Sequence, residues 1–204
     1  IMVGHLMLFH PAIQKIKKLI DEKKIGKLSY IYSNRINFGK VRTFENVLWS
    51  LGPHDISIFQ YFLDKFPKNI DAKGSASLQK NIHDNVTINL SYENNVSGHI
   101  FLSWLHPFKE HRLVLIGNRG MLTFEDSELG GSLKLYDKRV EFNNSIPNYI
   151  NNDFKEISFN KEKPLTEELK YFIKLLKAKT INNTNGNHAL DVTKILLEAN
   201  KQIQ

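Results

Sequence analysis

Asp84-Asn-Val-Thr-Ile-Asn-Leu-Ser-Tyr-Glu-Asn-Asn-Val-Ser-Gly-His-Ile-Phe-Leu-Ser-Trp-Leu105 holds two alternating segments, Asp84 to Tyr92 and Val96 to Leu105, around Glu93-Asn94-Asn95. Alternation with a period of two is the signature of a strand, and asparagine tolerates the positive φ of a tight hairpin turn. Working outward, Ile70 to Leu78 and Glu110 to Ile116 read as further strands, and Asn118-Arg119-Gly120 as a second turn leading into Met121 to Glu125. Ser132 to Tyr136 extends the set after Gly130-Gly131, which reads as a turn or bulge and not as a phosphate loop. Glu141 to Asn152 is asparagine-rich and reads as loop, with an edge strand expected at Phe154 to Phe159. Consecutive hairpins imply an antiparallel sheet.

Helices flank this block. Ile1 to Leu8 reads as a short buried strand, and His10-Pro11 opens a helix whose Ile13, Ile16, Leu19 and Ile20 recur at helical spacing until Gly26. Lys27 to Phe38 alternates, with Leu28, Tyr30, Tyr32, Ile36 and Phe38 on one face and Ser29, Ser33, Arg35 and Asn37 on the other. Two helices close the chain, their expected buried stripes being Leu165, Leu169, Phe172, Ile173 and Leu176, then Leu190, Ile195, Leu196 and Ala199. The order predicts an α+β fold, with helices on one face of an open, mostly antiparallel sheet.

The chain has 204 residues and 41% hydrophobic composition, enough for a core of its own. It contains no cysteine, which excludes thiolate catalysis, a disulfide framework and cysteine-ligated zinc, and agrees with a cytoplasmic location. Net charge is +7, but the lysines fall on helix faces turned to water and accompany no nucleic-acid motif, so no nucleic-acid partner is expected. No stretch reaches the length of a membrane span, and none reads as a secretion signal. The abrupt opening on Ile-Met-Val-Gly suggests a start inside a strand of a preceding portion.

Asn46 to Phe59 holds the candidate chemistry. Gly52 loosens the backbone, Pro53 suits a first helical position, and Ile56, Phe59 and Leu63 follow at helical spacing, so His54 and Asp55 are expected at a helix N-terminus. The positive end of the dipole would there favour neutral imidazole, a proton acceptor. Arg35 and Asn37 end the preceding strand, and the loop Gly39 to Asn46 brings Lys40, Arg42 and Asn46 toward the same place. Eight histidines show no metal-ligand spacing, and no metal is expected.

Val3-Gly-His-Leu-Met-Leu-Phe-His-Pro-Ala12, Gly26-Lys-Leu, Ser33-Asn-Arg-Ile-Asn37, Gly52-Pro-His-Asp-Ile56 and Gly186-Asn-His-Ala-Leu-Asp-Val192 together resemble the part of Gfo/Idh/MocA oxidoreductases that follows the Rossmann domain. The likeness is strongest to nucleotide-sugar dehydrogenases acting on UDP-N-acetylglucosamine derivatives. It implies a dihydrodipicolinate-reductase-like C-terminal domain, with residues 1–9 the remnant of the last Rossmann strand and residues 10–204 a substrate-binding and oligomerisation domain. It places His54 on the catalytic histidine that exchanges a proton with a sugar hydroxyl, with Arg35, Asn37, Arg42, Asn46 and Asp55 as sugar or diphosphate contacts. It also implies NAD or NADP in an intact enzyme, and a dimer or tetramer through the open sheet.

Departures from the family pattern limit the inference. Ser50 stands where many members carry aspartate, the G-x-G-x-x-G fingerprint is absent, and Glu162-Lys163-Pro164 lies too near the C-terminus to supply the family's catalytic lysine. No cofactor-binding residue can be named. This chain alone is therefore expected to hold no cofactor tightly and to be inactive. The alternative is a non-catalytic sugar-binding or self-association module of the same fold.

Overall fold

The asparagine turn pairs its flanking strands as the alternation requires. In the computed structural model, which describes residues 2–127, 131–178 and 184–204, Leu28–Phe38 forms β1, Asn69–Ser75 β2, Asn85–Ser91 β3 and Ser97–Ser103 β4. Leu105–Gly117 forms β5, Met121–Glu125 β6, Ser132–Asn143 β7 and Ile146–Glu156 β8. Asn94 and Asn95 take φ of 60° and 58° between β3 and β4, the left-handed region in which asparagine is at home. One sheet results, ordered β2-β3-β4-β1-β5-β6-β7-β8, in which β1 and β4 run parallel and the other described neighbours antiparallel.

Helices Pro11–Asp21 (α1), Val47–Leu63 (α2), Pro164–Ala178 (α3) and Gly186–Ile203 (α4) accompany the sheet. The core lies between the sheet and α1, α2 and α4, where Ile31, Val86, Ile88, Ile100, Leu102 and Leu115 meet Ile13, Ile56, Phe59 and Ile195. Gly52 does not loosen α2. It is buried, and a Cβ there would stand 3.1–3.4 Å from Leu48, Leu196 and Leu102, so its missing side chain lets α2 settle against α4 and β4. The other sheet face presents Tyr30, Tyr32, Phe101, Val114, Ile116 and Met121, all half-buried. No described helix is long and apolar enough to cross a membrane.

Several expectations need correction. Helix α2 starts six residues before Pro53, at Val47, because the Asn46 side chain accepts the Trp49 N–H at 3.2 Å and caps it. Pro53 is thus inside the helix, where it cannot bond the Trp49 carbonyl. In β1 the face carrying Ser33 and Arg35 is the buried one, under the helices, while Tyr30 and Tyr32 point to the uncovered side and Phe38 is exposed. Leu6–Phe9 closes a 3₁₀ turn through the Leu8 N–H to His5 carbonyl bond, and residues 2–5 join no strand; Ile1 lies outside the described residues.

The asparagine-rich segment is not a loop. It continues β7 into β8 around Asn144 and Ser145, whose φ of 46° and 66° suit a two-residue hairpin turn. Gly131 has a turn-like φ of 52°, and Gly130 lies outside the described residues. In α4, Ile195, Leu196 and Ala199 are buried as expected, but Leu190 is exposed. The stripe of α3 faces outward, with Leu165, Leu169, Phe172, Ile173 and Leu176 each 45–66% exposed. That helix packs on the turn at Leu6–Phe9 and sets Tyr171 against Phe9, so its apolar side has no described element to cover it.

The capping role gives a direct check. Asn46→Ala is expected to lower the unfolding free energy by about 1–2 kcal/mol, and Asn46→Asp, which keeps the cap acceptor but loses the donor to Asn200 Oδ1, to recover only part of it, as measured by urea denaturation.

Candidate functional site

Strand parity builds the site. In the middle of β1, Ile31, Ser33 and Arg35 point at the helices, which takes the Arg35 guanidinium into the interior at 8% exposure. A buried cation needs a partner, and α2 supplies Asp55, 2% exposed. Arg35 Nε donates to Asp55 Oδ2 at 2.5 Å and Nη2 donates to Oδ1 at 3.2 Å, a two-pronged contact that fixes both groups.

Histidines collect around this pair. His54 precedes Asp55 in α2, and its pKa is lowered by burial first and by the Arg35 charge second, against the opposing pull of Asp55. The neutral imidazole expected from sequence is therefore favoured, but by burial and Arg35. Seven residues into α2, His54 lies beyond the first turn, where the dipole acts. His111 stands opposite Arg35 on β5, and burial, then Arg35 and Lys109, bring its pKa down to about 4 against Asp55 and Glu125. His10 caps α1 by accepting the Ala12 N–H on Nδ1 at 3.1 Å. Its pKa too is lowered, by burial foremost, with Asp126 opposing and Lys161 and Arg35 adding.

His5 and His188 extend the group. Their rings meet edge to face with centroids 5.4 Å apart, and burial, His188 and then His54 lower the His5 pKa to about 4. Five of the eight histidines thus cluster, in four different parts of the chain. Among the described residues no three His, Asp or Glu side chains are grouped so as to hold a metal ion. A small cleft of about 10 Å³ has Arg35, Asp55, His111 and Asp126 in its lining, room for about one water.

The other expected contacts are placed differently. Asn46 uses Oδ1 for the helix cap and Nδ2 for Asn200 Oδ1 at 3.1 Å, so its amide serves the fold. Arg42 pairs with Glu45 at 3.6 Å, and its carbonyl accepts from Gln79 Nε2 at 2.9 Å. Asn37 keeps a buried Oδ1 without a protein donor. The structure thus brings Arg35, His54 and Asp55 together, and leaves Arg42 and Asn46 on the loop leading to α2. His5, His10, His111, Asp126 and His188 were not singled out from sequence; for His111 the signal is its register opposite Arg35, visible only once β1 and β5 are paired. The described residues do not fit a dinucleotide. Gly52 lies inside α2 and Gly98 under Phe59, and no glycine-rich strand-to-helix turn is available to receive a pyrophosphate.

A family profile described as the GFO/IDH/MocA C-terminal domain matches residues 13–123. A 2,7-anhydro-N-acetylneuraminate hydratase of Mediterraneibacter gnavus is 24% identical over 157 residues, covering 69% of this chain and 41% of the relative. Among solved structures, UDP-N-acetylglucosamine 3-dehydrogenase GnnA of Acidithiobacillus ferrooxidans superposes with a TM-score of 0.80 at 18% identity, over 98% of this chain and 60% of that one. Aldose-aldose oxidoreductase of Caulobacter crescentus superposes with a TM-score of 0.77 at 11% identity, over 99% of this chain and 62% of that one. The solved structures share the fold, and the chain spans less than two thirds of the length of each of these relatives.

Two outcomes are expected for the site. Removing one partner of a buried pair strands the other charge, so Asp55→Ala should cost about 3–5 kcal/mol, and combining Arg35→Met with Asp55→Leu should recover most of it. Equal losses in the single and double variants, read from urea midpoints, would contradict this. His5 and His111 have pKa values lowered from 6.5 to about 4, so the unfolded chain takes up protons first. Their contribution is fully present above pH 6.5 and is lost as pH falls toward 4, at up to about 1.4 kcal/mol per pH unit for each group. His111→Asn should flatten the pH dependence of the unfolding midpoint in that window.

Proposed function

Because the chain belongs to the GFO/IDH/MocA C-terminal domain family, we propose that it is the substrate-binding half of an NAD(P)-dependent sugar or nucleotide-sugar dehydrogenase. His54 is the proton acceptor and donor for the sugar hydroxyl. The observation that carries this reading is a half-buried imidazole, its pKa lowered by burial and by Arg35, beside a fixed Arg35–Asp55 pair. A neutral ring has a free lone pair at neutral pH, which is what a general base requires. On taking the hydroxyl proton it becomes an imidazolium, favoured by the Asp55 carboxylate and disfavoured by the Arg35 guanidinium, and this balance lets the proton be returned.

Of the expected contacts Arg35, Asn37, Arg42, Asn46 and Asp55, direct substrate contact is assigned to Asn37 and Arg42, since the Asn46 amide caps α2 and Arg35 and Asp55 are buried against one another. Arg42 is the member best suited to a diphosphate, since its guanidinium is partly exposed and its Glu45 partner lies at the margin of ion-pair distance. Arg35 and Asp55 hold one another and shape the wall behind His54. The acceptor for the sugar's electrons would be a nicotinamide held by residues outside this chain, so the chain alone is proposed to bind without turnover. Residues 1–9 are read as the connection to that cofactor-binding half and residues 10–204 as the substrate domain. The outward apolar stripe of α3, packed beside Leu6–Phe9, supports a place for that half.

Sugar substrates are also supported by the relatives' names, which include a UDP-N-acetylglucosamine dehydrogenase and an anhydro-N-acetylneuraminate hydratase. Self-association is a second proposed role of the domain, supported by the half-buried, helix-free side of the sheet with Tyr30, Tyr32, Phe101 and Val114.

Calorimetric titration of UDP-N-acetylglucosamine into this chain tests the site. Arg42→Ala is expected to weaken binding by about tenfold, the loss of one charge-assisted hydrogen bond. His54→Ala should weaken it less and remove its pH dependence. Identical weak binding by all three proteins would discard the site.

A further inference from the structure

A second opening lies among the helices, where the end of α2 meets α1 and the start of α4. It is a cleft of about 510 Å³, a size suited to a small ligand. Gln60 and Tyr61 of α2, Asp64 and Phe66 just beyond it, and Asn187 and Asp191 of α4 belong to its lining. Gln60 stands about 9 Å along the helix axis from His54, and no contact assigned to the His54 site lines the cleft.

A buried polar atom without a partner needs a physical reason. Gln60 is 5% exposed, and its Oε1 is buried with no hydrogen-bond donor. Among the described residues the Asp64 carboxylate forms no hydrogen bond or ion pair, and Asp191 has only a long contact with Lys194 at 3.5 Å. Both carboxylates act on His188, also in the lining: burial lowers its pKa, and Ser57, Asp191 and then Asp64 oppose the shift. The open groups of the cleft are therefore acceptors brought close together.

Their surroundings select the ligand. The lysines of the lining are occupied, Lys17 by Asp21 at 2.9 Å and Lys65 by Glu93 at 3.2 Å, so a phosphate or carboxylate would meet Asp64 and Asp191 without a free cation. Among the described residues no three His, Asp or Glu side chains are grouped for a metal ion. An organic cation would enter between those two lysines on a chain of net charge +7. A hydroxyl, in contrast, donates to an amide or carboxylate oxygen and accepts from an amide N–H. A sugar carries several hydroxyls on a ring whose C–H face packs on an aromatic side chain, and Tyr61 and Phe66 offer two.

We propose that this cleft is a second carbohydrate site, taking a neutral sugar whose hydroxyls donate to Gln60, Asp64 and Asp191 and whose C–H face rests on Tyr61 or Phe66. Titration of glucose into the chain, followed on the backbone amides by two-dimensional NMR, tests it. The amides of Asp64, Asn187 and Asp191 are expected to shift and saturate. Asp64→Gly, which the φ of 49° at that residue accommodates, and Gln60→Leu should each raise the glucose dissociation constant at least about tenfold, as loss of one hydrogen bond to a buried or charged group does. Arg42→Ala should match the parent. Gln60→Leu should also raise the urea midpoint, because it replaces an unpartnered buried amide by an apolar group of similar size. Glucose 6-phosphate and glucosamine, the anionic and cationic probes, should bind no more tightly than glucose.

Absence of a saturable shift at those amides overturns the site, as does parent-like binding by both cleft variants. Equal weakening by Arg42→Ala and Gln60→Leu places the sugar elsewhere and overturns it too. A lowered urea midpoint in Gln60→Leu marks the amide as a structural group and overturns its role as an acceptor. Tighter binding of either charged probe overturns the neutral ligand class.

Discussion

A guanidinium placed inside a protein has to be answered, and the answer here joins the sheet to its central helix. Arg35 comes from the middle of the sheet and Asp55 from α2, and their two-pronged contact has little freedom to slide. Such a pair adds little net stability, because desolvation offsets much of the attraction, yet it penalises any packing that separates the partners. It therefore acts mainly on register. With Asp55 held over β1, the preceding residue His54 is held as well, and His111 is brought in from the neighbouring strand.

The rest of the helix layer supports that placement. Asn46 starts α2 and ties it through Asn200 to α4, Trp49 Nε1 donates to the same Asn200 oxygen at 3.1 Å, and Gly52 removes the side chain that would hold α2 away from α4. An interior proline costs α2 a hydrogen bond to the Trp49 carbonyl. The helix tolerates this because burial on sheet and helix surrounds its other side chains; Leu48, Ile56, Ile58 and Phe59 are all within the core. Clustering neutral histidines about a fixed positive charge has a corresponding cost in acid, since every proton gained must be accommodated next to Arg35 or another imidazole.

Much of the sheet was legible in the sequence because period-two alternation and asparagine turns act locally. The turn at Glu93 to Asn95, the strand Met121 to Glu125 and the order of elements needed no tertiary information. The site was less legible. Arg35 and Asp55 were both singled out, but their pairing depends on which face of β1 is buried, and a polar alternation of Ser33 and Arg35 reads as solvent-facing until a helix carboxylate is known to meet it. Pro53 misled in a similar way, since a first-turn proline and a tolerated interior one look alike when the stronger cap at Asn46 competes. The asparagine-rich stretch hid a hairpin because its strands are held chiefly by one another, with weak hydrophobic alternation. The five histidines come from segments far apart in sequence, so no spacing rule could have joined them.

The two faces of the sheet separate two demands on one domain. On the helix side, charges and imidazoles are buried and fixed, as a site requires if its proton acceptor is to keep its protonation state. On the other side, the cross-strand row from Tyr30 to Tyr136 is apolar and half-buried and runs on to the exposed Phe154 and a hairpin with no third strand among the described residues. Since successive strand residues point to opposite faces, Arg35 can serve the first demand while Asn34, hydrogen-bonded to Glu110 at 2.9 Å, belongs to the second. Substitution on the open face need not disturb His54, because the sheet backbone lies between them. The ion pair makes this division possible: it holds α2 to one surface of the sheet without using any side chain of the other.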